Sequence, residues 1–146
     1  MKKFELTTEF ITNFLGTKLF RIKALVEFGK VEKGELGGFV EKEENLDHDG
    51  DAWVSGDARV SGDAWVSGDQ MYAAVKGFGS EYRNTTFFIT KDGNVCVNCG
   101  CFSGTLEQFR EKVEETHKDT KYAKEYLMIA DLMEMHFKEE LEKIKK

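Results

Sequence analysis

With 146 residues, 27 acidic against 21 basic side chains and a net charge of −6, the chain is of single-unit size, acidic overall and ordinary in apolar content. No apolar run reaches the roughly 18 to 20 residues that a membrane span needs, and Met1-Lys2-Lys3-Phe4-Glu5 brings an acid before any leader-like stretch, so the expected compartment is the cytoplasm. The charge argues against a general nucleic-acid binder, although Lys2, Lys3, Lys18, Arg21, Lys23 and Lys30 make the beginning basic, whereas residues 32–69 carry many acids against only Lys33, Lys42 and Arg59.

Thr7 or Thr8 is positioned to cap a short helix through Phe10, Ile11, Phe14 and Leu15 that stops at Gly16. Residues 19–25 alternate as a strand, with Phe20, Ile22 and Ala24 on one face and Arg21 and Lys23 on the other. From residue 50 to residue 70 one six-residue phrase recurs, as in Gly56-Asp57-Ala58-Arg59-Val60-Ser61. Six is a whole number of strand alternations, so Val54, Val60 and Val66 all face inward, and the Gly-Asp pairs supply turns. Three such sides predict a parallel β-helix of about eighteen residues per coil. Shifting the sequence by that length sets Leu36 under Val54 and Leu46 under Ala64 but fails at Lys42 and His48; Tyr72 and Phe78 then close the stack. Further on, residues 85–90 and 95–98 form a hairpin around Asp92-Gly93, Thr105 and Gln108 make a capping box for one helix, and a second begins near Thr120.

Chemistry-bearing residues are sparse. The repeat resembles that of left-handed β-helix acyltransferases and gamma-class carbonic anhydrases, but the histidines those enzymes use are missing. His48 alone lies near the repeat, beside Asp47 and Asp49, and reads as a solvated turn residue. Asp51, Asp57, Asp63 and Asp69 read as turn residues rather than as a mimic of a phosphate backbone, because successive ones fall on different sides of the coil. Trp53 and Trp65 point outward if the valines point inward, to be covered by the chain's own ends or by another subunit. Cys96, Cys99 and Cys101, with His117 as a fourth ligand, have part of a zinc-knuckle spacing but lack the second pair. A nucleophilic cysteine beside His117 has no acid to orient it, and buried inert thiols are the third reading. No cofactor is expected.

Gly34-Glu35-Leu36-Gly37-Gly38-Phe39-Val40-Glu41, the repeat, and Cys99-Gly100-Cys101-Phe102-Ser103-Gly104-Thr105-Leu106-Glu107-Gln108-Phe109 together resemble a family of small hexapeptide-repeat proteins encoded by phages and prophages of Gram-positive bacteria. The resemblance covers nearly the whole chain. The expected fold class is α+β: residues 1–35 cap a short left-handed parallel β-helix at 36–78, and residues 79–146 form a ββαα module. The resemblance implies a non-enzymatic accessory protein that acts in the host cytoplasm against bacterial immunity by binding a defence protein. Two other readings stand beside it. A sponge for a signalling nucleotide would use Arg21, Lys23, Arg59, Lys76 and Arg83 with Phe20, Trp53, Trp65 or Tyr82, and a transferase-like or metal-dependent enzyme would need a base, for which the sequence offers nothing outside the cysteine and histidine cluster. Outward tryptophans and an amphipathic last helix predict a homo-oligomer, most simply a dimer.

Overall fold

The computed structural model describes residues 2–13, 16–79, 82–99 and 102–145. Among them, β1 (Phe4–Thr12), β2 (Lys18–Ala24), β3 (Leu36–Val40) and β4 (Arg59–Val60) form one sheet in chain order, antiparallel except where β3 meets β4. A second sheet, antiparallel throughout, contains β5 (Tyr72–Phe78), β6 (Arg83–Ile89), β7 (Val95–Cys99) and β8 (Phe102–Thr105). The chain ends in α1 (Leu106–His117) and α2 (Lys121–Lys145). No helix among the described residues is long and apolar enough to cross a membrane.

The first thirteen residues depart from expectation. The segment read as a helix from Thr7 is strand β1, registered on β2 from Phe4 opposite Ala24 to Thr12 opposite Lys18; Phe14 and Leu15 lie outside the described residues. Thr7, Thr8, Ile11 and Thr12 are β-branched, and β2 offers an open edge whose ladder outweighs a short capped helix. Asn13 closes the connection, its carbonyl accepting from Gly16 N–H and its side chain from Thr17 N–H, both at 3.0 Å.

The described residues do not form the parallel β-helix expected from the repeat. Among the described residues, parallel pairing is confined to Phe39 with Arg59, Val40 with Val60 and the isolated bridge of Leu46 with Val66, a spacing of twenty residues each time rather than eighteen. The additional length is taken up by a 3-10 turn at Glu43–Asn45, in the stretch where Lys42 and His48 could not serve as inward residues. Beyond Val66 the chain passes through a second such turn, Asp69–Met71, into β5. Tyr72 and Phe78 therefore bound a strand antiparallel to β6 instead of closing another coil. A solenoid needs successive turns that present the same inward set, and only one stretch of this sequence does so. That stretch keeps its predicted inside: Val54, Val60 and Val66 are all buried, as are Ala52, Ala58 and Ala64. Its corners at Gly56 and Gly62 take φ of 60° and 62°, where a Cβ is strained.

Gly37 and Gly38 allow β3 to lie directly on this stretch. A Cβ on Gly37 would stand 2.6 Å from both Trp53 and the Val54 carbonyl, and one on Gly38 would collide with the Ala58 carbonyl. The absent side chains let Gly38 N–H reach Val54 O at 2.7 Å and Phe39 N–H reach Ala58 O at 2.9 Å.

The predicted hairpin and capping box are present. β6 and β7 pair from Thr85 opposite Cys99 to Ile89 opposite Val95, and Thr105 and Gln108 exchange side-chain and backbone bonds of 3.2 and 2.9 Å. The ββαα unit is in fact four strands and two helices, because β5 and β8 flank the hairpin. Alternation along this sheet gives each face a neighbour. Phe87 meets the Phe109 ring at 5.8 Å on the helix side. On the other side Thr86 accepts Arg59 N–H at 2.9 Å, and Asn98 donates to Arg59 O at 2.9 Å and to Ser61 Oγ at 3.1 Å. The second sheet thus lies between the repeat and the helices.

Candidate functional site

At the end of the repeat the chain builds a groove of about 720 Å³, bounded by the Glu43–Asn45 turn, the loop through Asp49, Trp65 of the repeat and Lys91 of the β6–β7 turn, with Lys2 at one edge. Its floor is tightly held. Asn45 is fully buried; its Oδ1 accepts from Glu41 and Lys42 N–H at 3.1 and 3.0 Å, and its Nδ2 donates to Gly62 O and Ala64 O at 3.0 Å. Val66 N–H reaches Asn45 O at 2.8 Å, Asp47 N–H reaches Val66 O at 2.9 Å, and Lys91 N–H reaches Asp63 O at 3.0 Å. A single buried amide therefore ties the acidic turn to the repeat, so the groove walls are preorganised.

His48 is not the solvated turn residue expected from the sequence. Its ring stacks on Phe4 at 4.3 Å, Nδ1 accepts Lys3 N–H at 3.0 Å, and Nε2 faces Glu43 Oε1 at 3.3 Å. An Nδ1 that accepts leaves the proton on Nε2, which donates to Glu43 in the neutral ring. Glu43 also pairs with Lys2 at 3.2 Å. Lys3 is buried, its Nζ donating to Ala52 O at 2.7 Å and Gly50 O at 3.3 Å above the Phe28 ring. These contacts fix the start of β1 against the groove loop.

The two tryptophans flanking the inward valines have different surroundings, and for Trp53 the cover is the chain's own amino-terminal part. Trp65 is 40% exposed and lines the groove, whereas Trp53 is 6% exposed, edge-on to Phe28 at 5.4 Å and to Phe4 at 6.5 Å. β1 and residue 28 supply that cover, which the repeat taken alone does not reveal. Around Trp65 stand four carboxylates, Glu43, Glu44, Asp47 and Asp49, against Lys2 and Lys91. The groove is thus acidic with one apolar ring face available.

The other sequence candidates lie elsewhere. Arg21 donates to Glu9 at 2.8 Å and Gly37 O at 2.7 Å, lies 3.4 Å from Asp57, and sits over the Phe39 ring. Lys23 is exposed on the same strand, and Arg59 is half-buried where the repeat meets the second sheet. Tyr82, 62% exposed with φ 55°, and Arg83 stand at the β5–β6 connection, and Lys76 is exposed on β5. The basic residues proposed for a nucleotide are therefore divided between two sheets, and none of them lines the groove.

Cys96 and Cys99, three apart on β7, face opposite sides of the sheet. Cys99 accepts from Thr85 Oγ1 at 3.2 Å and lies 3.7 Å from Tyr126 Oη on the helix side. Cys96 faces the repeat, and its thiol is pushed up to about 11 by burial and then by Asp92 and Asp63. Tyr126 is also raised, by burial and by Cys99, and donates to Phe78 O at 3.0 Å. The His117 ring lies 5.7 Å from Tyr122 and 5.9 Å from Tyr126, and Cys101 lies outside the described residues. One metal ion cannot be held by both Cys96 and Cys99, and among the described residues no group of three or more His, Cys, Asp or Glu side chains is arranged for one.

Comparison with protein-family models, with curated proteins and with solved structures found no match to this chain.

Proposed function

We propose that the chain is a non-enzymatic binding protein that takes a cationic segment of another protein into the groove beside Trp65. The observation that carries this reading is an exposed indole set among four carboxylates and two lysines, next to the turn that the buried Asn45 ties to the repeat. A lysine or arginine side chain gains from both surroundings at once, from the ring face and from the acids, and little ordering of the groove opposes its entry. The resemblance of the repeat and of the closing Cys99 to Phe109 stretch to phage-encoded proteins supplies the context: a bacterial defence protein as the target, bound so as to block it.

Copurification of the tagged chain from sensitive host cells tests this, run in parallel with Trp65→Ala and Glu44→Lys. Wild type is expected to retain a protein that both variants lose, with retention falling as salt rises. Equal retention by the Trp65→Ala variant, or recovery of a nucleotide alone, overturns the proposal.

A further inference from the structure

α2 buries one side and leaves the other without a neighbour among the described residues. Ala123, Tyr126, Ala130, Met133 and Phe137 are buried, while Met128, Leu132 and Met135, on the opposite side, are 72%, 51% and 67% exposed. Spacings of four and then three residues place these three along a single seam. Three long apolar side chains in one line on an otherwise charged helix form an apolar strip, not scattered exposure.

The charges along the seam are arranged by sign. Lys121 and Lys124 precede the apolar residues and Glu139 and Glu142 follow them, all exposed, with Glu125 and Lys138 on the flanks. We infer that this seam pairs with the same seam of a second copy, the two α2 helices running antiparallel about a two-fold axis midway between Asp131 and Leu132. That axis sets Met128 opposite Met135 of the other copy, Lys124 opposite Glu139, Lys121 opposite Glu142 and Glu125 opposite Lys138. Each of these three charged pairs is then of opposite sign, and Asp131, which falls opposite Leu132 beside the axis, is paired with Arg110 of its own chain at 2.9 Å. A parallel arrangement would place each charge against its own kind, so the same residues that favour one orientation disfavour the other. A two-fold interface must be self-complementary, and this pattern is.

Sedimentation over a concentration series tests the inference. Wild type is expected to pass from monomer to dimer in the micromolar range, and Leu132→Glu, at an exposed position, to stay monomeric with an unchanged melting curve. Lys124→Glu and Glu139→Lys are each expected to weaken the dimer about tenfold, because each reverses two symmetry-related pairs. The double variant is expected to recover it. A wild-type monomer at every concentration, as would follow if a different protein covers the seam, overturns the inference. So does a dimer indifferent to Leu132→Glu, or a double variant as weak as the singles.

Discussion

The repeat and the second sheet satisfy their backbones by different means. Within the second sheet, three antiparallel ladders pair the strands with one another, and little depends on any one side chain. Between residues 50 and 68 the only regular element is the two-residue β4, and many of the carbonyls are met by side chains from elsewhere: Ala52 by Lys3, Trp53 by Tyr72, Arg59 by Asn98, Gly62 and Ala64 by Asn45. Ladder bonds survive most substitutions because they run between backbones. Side-chain clamps do not, so the repeat region concentrates its stability in a few polar residues as well as in its narrow apolar inside.

The largest effect expected from this contrast is Val60→Asp. It places an unpaired charge where no solvent reaches, at a cost of several kcal/mol, and a thermal melt should show no cooperative native transition. If that variant melts like wild type, the inside of the repeat has been misplaced.

A smaller but more discriminating comparison sets Asn45→Ala against Thr105→Ala. The first removes four bonds and leaves buried backbone groups unmet, for about 2–4 kcal/mol. The second removes one helix cap, for about 1 kcal/mol. Denaturant titrations giving equal losses would mean that the clamp does not hold the groove floor.

The smallest effect is alkaline. The Cys96 thiol ordinarily loses its proton near 9.0 and in the folded chain near 11, so between these values the unfolded state has released a proton that the native state still holds. Stability therefore falls as pH rises through that window and is unaffected by this group below it. Cys96→Ala is expected to flatten that part of the stability profile. Thiol alkylation at Cys96 should stay slow until the pH approaches 11, and fast labelling near pH 8 would show that the thiol is not enclosed as described.

Residues 19–25, the hairpin turn at Asp92-Gly93, the Thr105 and Gln108 box and the inward valines were legible in the sequence because each depends on neighbours only a few positions away. Alternation and capping act over one turn or one strand, and the structure keeps them except at the start of β2, where Leu19 rather than Phe20 is fully buried and the register on β3 shifts between Arg21 and Lys23. Local signals failed where a distant partner decided the outcome. Thr7 and Thr8 suit a helix cap until β2 offers an edge, and a six-residue repeat suits a coil until the twenty-residue spacing to Val40 and Leu46 is seen. The groove was hidden for the same reason. Failure of the coil register at Lys42 and His48 marked that stretch as irregular, but Asn45, Trp65, Lys91 and Lys2 come together only through pairings across tens of residues. The periodicity determined which side chains go inside; which segments lie against one another was decided by tertiary packing, because strand edges and buried polar groups accept whichever partner completes their hydrogen bonds.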